Sequence, residues 1–219
     1  MKKLFIVLIC SLVAAWSCHI DGSYSATNVQ DFVTITEGKL VNDLGVVYTV
    51  SDKASEVPEL LEGQRYYLLF DILNKYYDIS IIQGIHVDVL ETAKATEADA
   101  QLTAHDPVVV QLNWIGGNYI DLGFKYYYDP ASDCAHNVFC HYALEDGNKT
   151  KHFYLYHDGN NENPAAMDMD KLKEKLRIIS IPLGNLDGID QVCLTLDLLG
   201  VDAEGKYQVV SQTYSTSSN

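Results

Sequence analysis

Apolar and polar residues alternate most regularly over residues 108–128. Val108, Val110, Leu112 and Trp114 precede a Gly116-Gly117-Asn118 break, and Ile120, Leu122, Phe124 and Tyr126 follow it. A period of two means a strand with one buried face, and two such runs about a glycine-rich break mean a β-hairpin. A two-residue Gly116-Gly117 turn would set Leu112 against Asp121 and put the apolar sets on opposite faces. A three-residue loop over 116–118 pairs Trp114 with Ile120, Leu112 with Leu122 and Val110 with Phe124, with every apolar residue on one face. The pattern therefore predicts the three-residue loop, with Trp114 in the core and Asn113, Asp121 and Lys125 outward.

The N-terminal half shows strand patterns at 32–36, 46–50, 65–73 and 79–90, the last interrupted by Gly84, which reads as a bulge or bend. Residues 51–62 are acidic, contain Pro58 and read as a loop. Four or five strands without a convincing helix predict a small OB-like Greek-key barrel over residues 31–95. Residues 91–105 are rich in Ala, Thr and acids, with Leu102 their one large apolar residue after Glu91, and predict a linker. Asp106-Pro107 restarts the chain in extended form. Further strand patterns lie at 136–144, 152–157, 177–183, 190–199 and 207–214, with a short helix expected within 167–176 and a fraying tail over 215–219. With the central hairpin this makes about seven strands separated by turn signals, a β-sandwich over residues 106–215. The fold class is all-β.

The chain opens Met1-Lys2-Lys3 and continues as an apolar run of twelve residues, Leu4 to Ala15. These are the charged and apolar regions of a secretory signal over residues 1–17. The run is too short for a bilayer span, which takes about 20 residues. Ser17-Cys18 predicts cleavage before Cys18 and lipidation of its thiol, leaving residues 18–30 as a lipidated tether. Two acyl chains there would hold the protein firmly on a membrane. The expected location is the bacterial cell envelope, anchored to the outer membrane.

Charge narrows the partners. Removing residues 1–17 leaves 13 basic against 30 acidic residues, a net charge of −17. Such a chain repels phosphate backbones, so no nucleic-acid partner is expected. Cys134, Cys140 and Cys193 follow Cys18. Cys134 and Cys140 are close enough in sequence for a disulfide in an oxidising compartment, whereas Cys140 alternates with Val138 and Tyr142 as a small buried residue would.

Several short motifs recur in a family-like order: Cys18 after the signal, Asn42-Asp43-Leu44-Gly45 between strands, and Glu62-Gly63-Gln64-Arg65 opening a strand. Then come Asp106-Pro107, Asn118-Tyr119-Ile120-Asp121-Leu122, His141, and Leu155-Tyr156-His157-Asp158-Gly159-Asn160. In order and spacing the chain resembles the NigD-like lipoproteins of Gram-negative envelopes. Asp121 departs from the pattern, which has Asn there. The resemblance implies an OB-like domain followed by a β-sandwich, no catalytic residues to carry over, and a role suggested by association with a bacteriocin locus, namely immunity.

Cys134, His136, Cys140, His141, His152 and His157 form the densest set of metal-type ligands, but lack the paired spacings of zinc sites. The Asp158-Gly159-Asn160-Asn161-Glu162-Asn163 run has oxygen ligands without the EF-hand pattern and reads as an Asx-rich turn. No nucleophile elbow or metalloprotease motif is present, so no catalytic residue, metal or cofactor is assigned. Tyr119, Asp121 and Tyr127, beside Lys125 on the outer hairpin face, form a candidate ligand face, because exposed aromatics near carboxylates suit sugars. Two readings follow: a non-catalytic lipoprotein that binds a protein or protects the cell, and a glycan-binding lipoprotein of a polysaccharide-capture system.

Overall fold

The computed structural model describes residues 24–95 and 106–217. Five strands come first: β1 Ala26–Thr36, β2 Lys39–Asn42, β3 Val47–Lys53, β4 Arg65–Ile72 and β5 Asp78–His86. They close in the order β1-β2-β3-β5-β4, with β4 pairing back onto β1 and β3 parallel to β5. This is the OB-like barrel. Its interior holds Val33, Ile35, Leu40, Tyr48, Tyr66, Leu68, Phe70, Ile79 and Ile81. Closure removes the free edges that a five-stranded open sheet would carry.

The remaining strands form a sandwich. β6 Asp88–Val89, β7 Thr92–Lys94, β8 Val109–Gly116 and β9 Tyr119–Tyr128 precede β10 Asn137–Glu145 and β11 Thr150–Asp158. β12 Lys173–Pro182, β13 Gln191–Val201 and β14 Tyr207–Ser217 complete it. One sheet runs β14-β13-β11-β10-β7 and the other β6-β12-β9-β8. Ile120, Leu122, Phe124, Ile179 and Ile181 of one sheet meet Phe153, Leu155, Val192, Leu194 and Leu196 of the other. The outer face of the four-stranded sheet is also covered. Leu112 and Ile178 pack with Phe32, Tyr67, Ile85 and Val87 of the barrel side.

Several expectations change. The hairpin turn is Gly117-Asn118, two residues long, with Gly116 opposite Tyr119 and Ile115 opposite Ile120. Gly117 has φ +58°, which a turn with a left-handed first central residue requires. The pairing then shifts at Gln111, so Val110 still faces Phe124 as expected. The bulge separates Val110 from Leu112 in face. Leu112 and Trp114 turn outward opposite Gly123 and Asp121, and Trp114 is 44% exposed. The alternation in β9 is as read, but its outward face is buried under the barrel, so Asp121 is 0% exposed.

β1 begins at Ala26, inside the expected tether, because Val29 and Gln30 pair with Phe70 and Leu69. Residues 88–94, assigned to the barrel and linker, pair with the sandwich: β6 with β12 and β7 with β10. The bulge in β5 falls at Ile82, between the Leu69–Gln83 and Phe70–Ile81 pairs. Gly84 serves packing instead, since a Cβ there would lie 2.9 Å from the Leu68 side chain. The expected helix is a single 3₁₀ turn, Met169–Lys171; ten residues of β12 pairing with β9 override helical propensity. Ser215, Thr216 and Ser217 pair with Cys193, Val192 and Gln191 instead of fraying. The signal over 1–17 and Cys18 lie outside the described residues.

Candidate functional site

The barrel and the sandwich meet at Arg65, the first residue of β4. Its side chain is 1% exposed. The guanidinium donates to both carboxylate oxygens of Asp43, at 2.7 and 2.6 Å, from the turn between β2 and β3. It also donates to both oxygens of Asp121 in β9, at 3.0 and 2.9 Å from Nη2, and Nε reaches Ser180 Oγ in β12 at 2.7 Å. Ser180 donates in turn to Asp121. The ring of Tyr119 lies 4.1 Å from the guanidinium carbon, which closes one planar face. The hairpin tip completes the enclosure, because a Cβ on Gly117 would lie 2.6 Å from Asp43 Cβ. Two carboxylates share one guanidinium here, a surplus of negative charge in a dry place. Burial pushes the Asp121 carboxyl up to about 6, and Asp43 adds to the push while Arg65 opposes it.

A second polar node ties the loops at the other end of β9. Asp106, 7% exposed, accepts from the backbone N–H groups of Gly159 and Asn161, both at 2.9 Å, and from Asn163 Nδ2 at 2.7 Å. Its carbonyl faces His157 Nδ1 at 3.3 Å, His157 Nε2 faces His136 Nδ1 at 3.1 Å, and His136 Nε2 faces Glu162 at 3.3 Å. A carbonyl and a carboxylate end this chain, and both only accept. All three bonds form only with three protons on the four ring nitrogens, one positive charge for the pair. Burial, with His136 beside it, pushes His157 down to about 4. Glu162 is held down at about 2 by hydrogen bonds from Ser132, the Asp129 N–H, His136 and Cys134, which outweigh its burial.

An open cleft of about 360 Å³ adjoins this node, between the end of β5 and the first half of β12. His86, Asp88, His136, Lys175 and Arg177 line it, with Leu176 as an apolar wall. Arg177 Nε donates to Asp88 at 3.0 Å.

The residues expected to form a ligand face are dispersed. Tyr119 and Asp121 belong to the Arg65 clamp, and Asp121, expected outward, is sealed because the barrel covers its face. Tyr127 is half-buried opposite Glu174, six positions from Asp121, roughly 20 Å along the strand. The structure brings His136 and His157 together but sends Cys140 into the core, leaves Cys134 exposed, and sets His141 beside the Tyr156 ring. All three described cysteines are free thiols, so Cys134 and Cys140 are not joined. Among the described residues no group of three or more His, Cys, Asp or Glu has metal-binding geometry. His152 does link Thr195 Oγ1, at 2.7 Å, to Glu145, at 3.1 Å. That hydroxyl–imidazole–carboxylate order suits a nucleophile, but Thr195 pairs on both sides, with Tyr154 and Thr213. Strand pairing uses the local N–H groups that an oxyanion would need.

Sequence comparison supplies the family. Residues 91–199 match the model of the NigD-like C-terminal β sandwich domain. The chain belongs to the NigD-like family through this domain. A comparison with curated proteins gives no match. Among solved structures, a NigD-like immunity protein from Bacteroides caccae ATCC 43185 is 18% identical, with TM-score 0.56 over 85% of this chain and 93% of the other. A protein of unknown function, DUF1344, from Bacteroides vulgatus ATCC 8482 is 14% identical, with TM-score 0.58 over 87% and 91%. A protein from Bacteroides fragilis NCTC 9343, provisionally assigned as a lipoprotein, is 11% identical, with TM-score 0.56 over 89% and 97%. At these identities the likeness is one of fold. It extends the NigD-like sandwich to the barrel before it.

The motifs that carried the resemblance take on physical meaning in this NigD-like chain. Asp43, Arg65, Tyr119 and Asp121 come from three of them and converge on the clamp. Asp106, His157 and Gly159 come from two others and belong to the second node. Sequence reading found the strings and missed the convergence. The available signal was Arg65 itself, one of two arginines in the chain, placed in a run that otherwise reads as core.

Asp121→Ala removes one partner of a buried ion pair and is expected to cost about 3 kcal/mol or more. Asp121→Asn keeps an acceptor for Ser180 and Arg65 while removing the surplus charge. It should cost less than half as much; chemical denaturation of both variants measures the difference. The His157 shift has a definite sign. A histidine held below its ordinary value contributes stability above about pH 6.5, and this is lost as pH falls toward 4. Between pH 7 and pH 4.5 the wild type should therefore lose on the order of 2 kcal/mol more than His157→Gln. Parallel pH profiles of the two unfolding midpoints would refute the assignment.

Proposed function

We propose that this chain is a non-catalytic lipoprotein of the cell envelope, held at the outer membrane by lipid on Cys18, that binds a protein and protects the cell. The observation that carries the reading is the commitment of enclosed ionic groups to architecture among the described residues. Arg65, Asp43, Asp121 and Asp106 each satisfy another part of the fold. None stands ready with a nucleophile and an oxyanion site. The NigD-like domain and the fold shared with the B. caccae immunity protein support a protective role. Among the described residues no helix is long and apolar enough to cross a membrane, so the anchor in this reading is the lipid.

The test uses a strain lacking the gene, complemented with wild type or Cys18→Ala and challenged with supernatants of bacteriocin-producing neighbours. Wild type is expected to restore growth and to sediment with outer membranes, and Cys18→Ala to stay soluble. Equal growth of the deletion and wild-type strains would refute protection, and equal sedimentation would refute the anchor.

One observation favours the glycan reading. Trp114 is 44% exposed on the outer side of the edge strand β8, beside the clamp, and a bare indole is a stacking surface for a sugar ring. On a glycan array the purified protein would then retain a defined set of polysaccharides, and Trp114→Ala would lose them at an unchanged unfolding midpoint. No retained glycan, or retention that survives the substitution, removes this reading.

A further inference from the structure

We propose that the cleft along β12 binds an extended, acidic peptide segment of a partner protein, which adds as a strand to the uncovered edge of Lys173–Ile178. The proposal rests on the protein-binding reading above and names the site and chemistry of the contact.

Two independent observations meet there. The first is an unfinished sheet edge. β12 lies between β6 and β9, and β9 pairs with all ten of its residues. β6 is two residues long and pairs only with Ile179 and Ser180. Among the described residues, Lys173–Ile178 therefore has no neighbour on the β6 side. Burial follows this boundary: residues 173–176 are exposed, Arg177 is half-buried, and residues 178–181 are buried. Lys173–Leu176 with the half-buried Arg177 make roughly 16 Å of ladder, enough for a peptide of about five residues.

The second observation is charge. The chain carries two acidic residues for each basic one, yet the cleft beside this edge inverts that ratio. Lys175 and Arg177 face it against Asp88 alone, with the imidazoles of His86 and His136 beside them. The remaining charged neighbours on β12, Lys173 and Glu174, offset each other, and Glu174 is already paired with Lys125 at 2.7 Å. Arg177 uses Nε for Asp88, and a guanidinium has five donors, so it can hold a second carboxylate. Arg65 does so in this same protein. Lys175 and Arg177 are two positions apart and so share a face of the strand. They would meet alternate residues of an added strand, which selects a peptide with acids at every second position. The net negative charge of the whole chain does not forbid this. Charges farther away than about 8 Å are largely screened at physiological salt, while those in the cleft act at contact.

The experiment is fluorescence anisotropy on the full mature chain with labelled eight-residue peptides. Alternating Glu-Thr is expected to bind at least about tenfold tighter than alternating Ser-Thr, with alternating Lys-Thr not binding. Lys175→Glu, a change at an exposed position, should weaken the acidic peptide at least about tenfold, as should Arg177→Ala. N-methylation of alternate amides in the Glu-Thr peptide should abolish binding, because it removes the ladder donors. Equal binding of acidic and neutral peptides, or binding unchanged by Lys175→Glu, would overturn the proposal. So would full binding of the N-methylated peptide, or oligogalacturonate binding more tightly than any peptide. A failure here with protection intact in the challenge assay sinks the cleft alone. Loss of protection as a phenotype sinks the reading on which it rests.

Discussion

A guanidinium that is 1% exposed dictates how the two halves of this molecule meet. Arg65 cannot shed its proton, so burial obliges the fold to bring carboxylates to it. One comes from the barrel, Asp43, and one from the sandwich, Asp121, so the charge is satisfied only when the halves are docked. Separating them would strand Asp121 without its cation and Arg65 with half its partners. Apolar contacts among Phe32, Val87, Ile178 and Leu112 supply area at the junction, but area is indifferent to orientation. The bidentate geometry is not, and it sets the angle at which the β8–β9 hairpin sits against the β2–β3 turn.

The second node has the same logic at the far end of β9. The loop after β11 has consecutive left-handed residues, Asn160 and Asn161 at φ +60° and +62°, which expose backbone N–H groups toward one side. Asp106 accepts from those of Gly159 and Asn161. Its own backbone joins the pair of imidazoles, whose stacked rings lie beside Tyr126. The strand is thus pinned at both ends by buried polar clusters, one with an excess of negative charge and one built on a carboxylate and a pair of stacked imidazoles. Each favours a unique arrangement over a merely compact one, at a desolvation cost.

Much of the fold was legible. The period-two pattern located the longer strands of both halves and missed β2, β6 and β7, and the absence of helical periodicity marked the chain as all-β. What failed did so for identifiable reasons. Pattern reading assumes one buried face per sheet, and here the four-stranded sheet is covered on both, so Asp121 looked like a surface residue. It also assumes an unbroken strand, and the bulge at Gln111 moved Trp114 to the opposite face. β6 and β7 are too short to show a period at all. The candidate site was less legible still. Asp43, Arg65, Tyr119 and Asp121 span 79 residues, and no local rule says that two turns and two strands should close on one side chain.

The two arginines then divide the molecule's chemistry between them. Arg65 meets two carboxylates of its own chain, and its binding capacity is used up inside the fold. Arg177 meets one, at the rim of a cleft where the sheet stops short. A charged group that folding satisfies needs nothing further; a group that folding satisfies only partly, next to backbone left without a neighbour, defines what must be supplied from outside. In a chain this acidic a local excess of positive charge is not a product of composition. It results from the two-residue alternation of the strand, which puts Lys175 and Arg177 on the same side of β12, and from β6 ending after two residues. The same short strand that no sequence pattern reveals is what leaves the edge open.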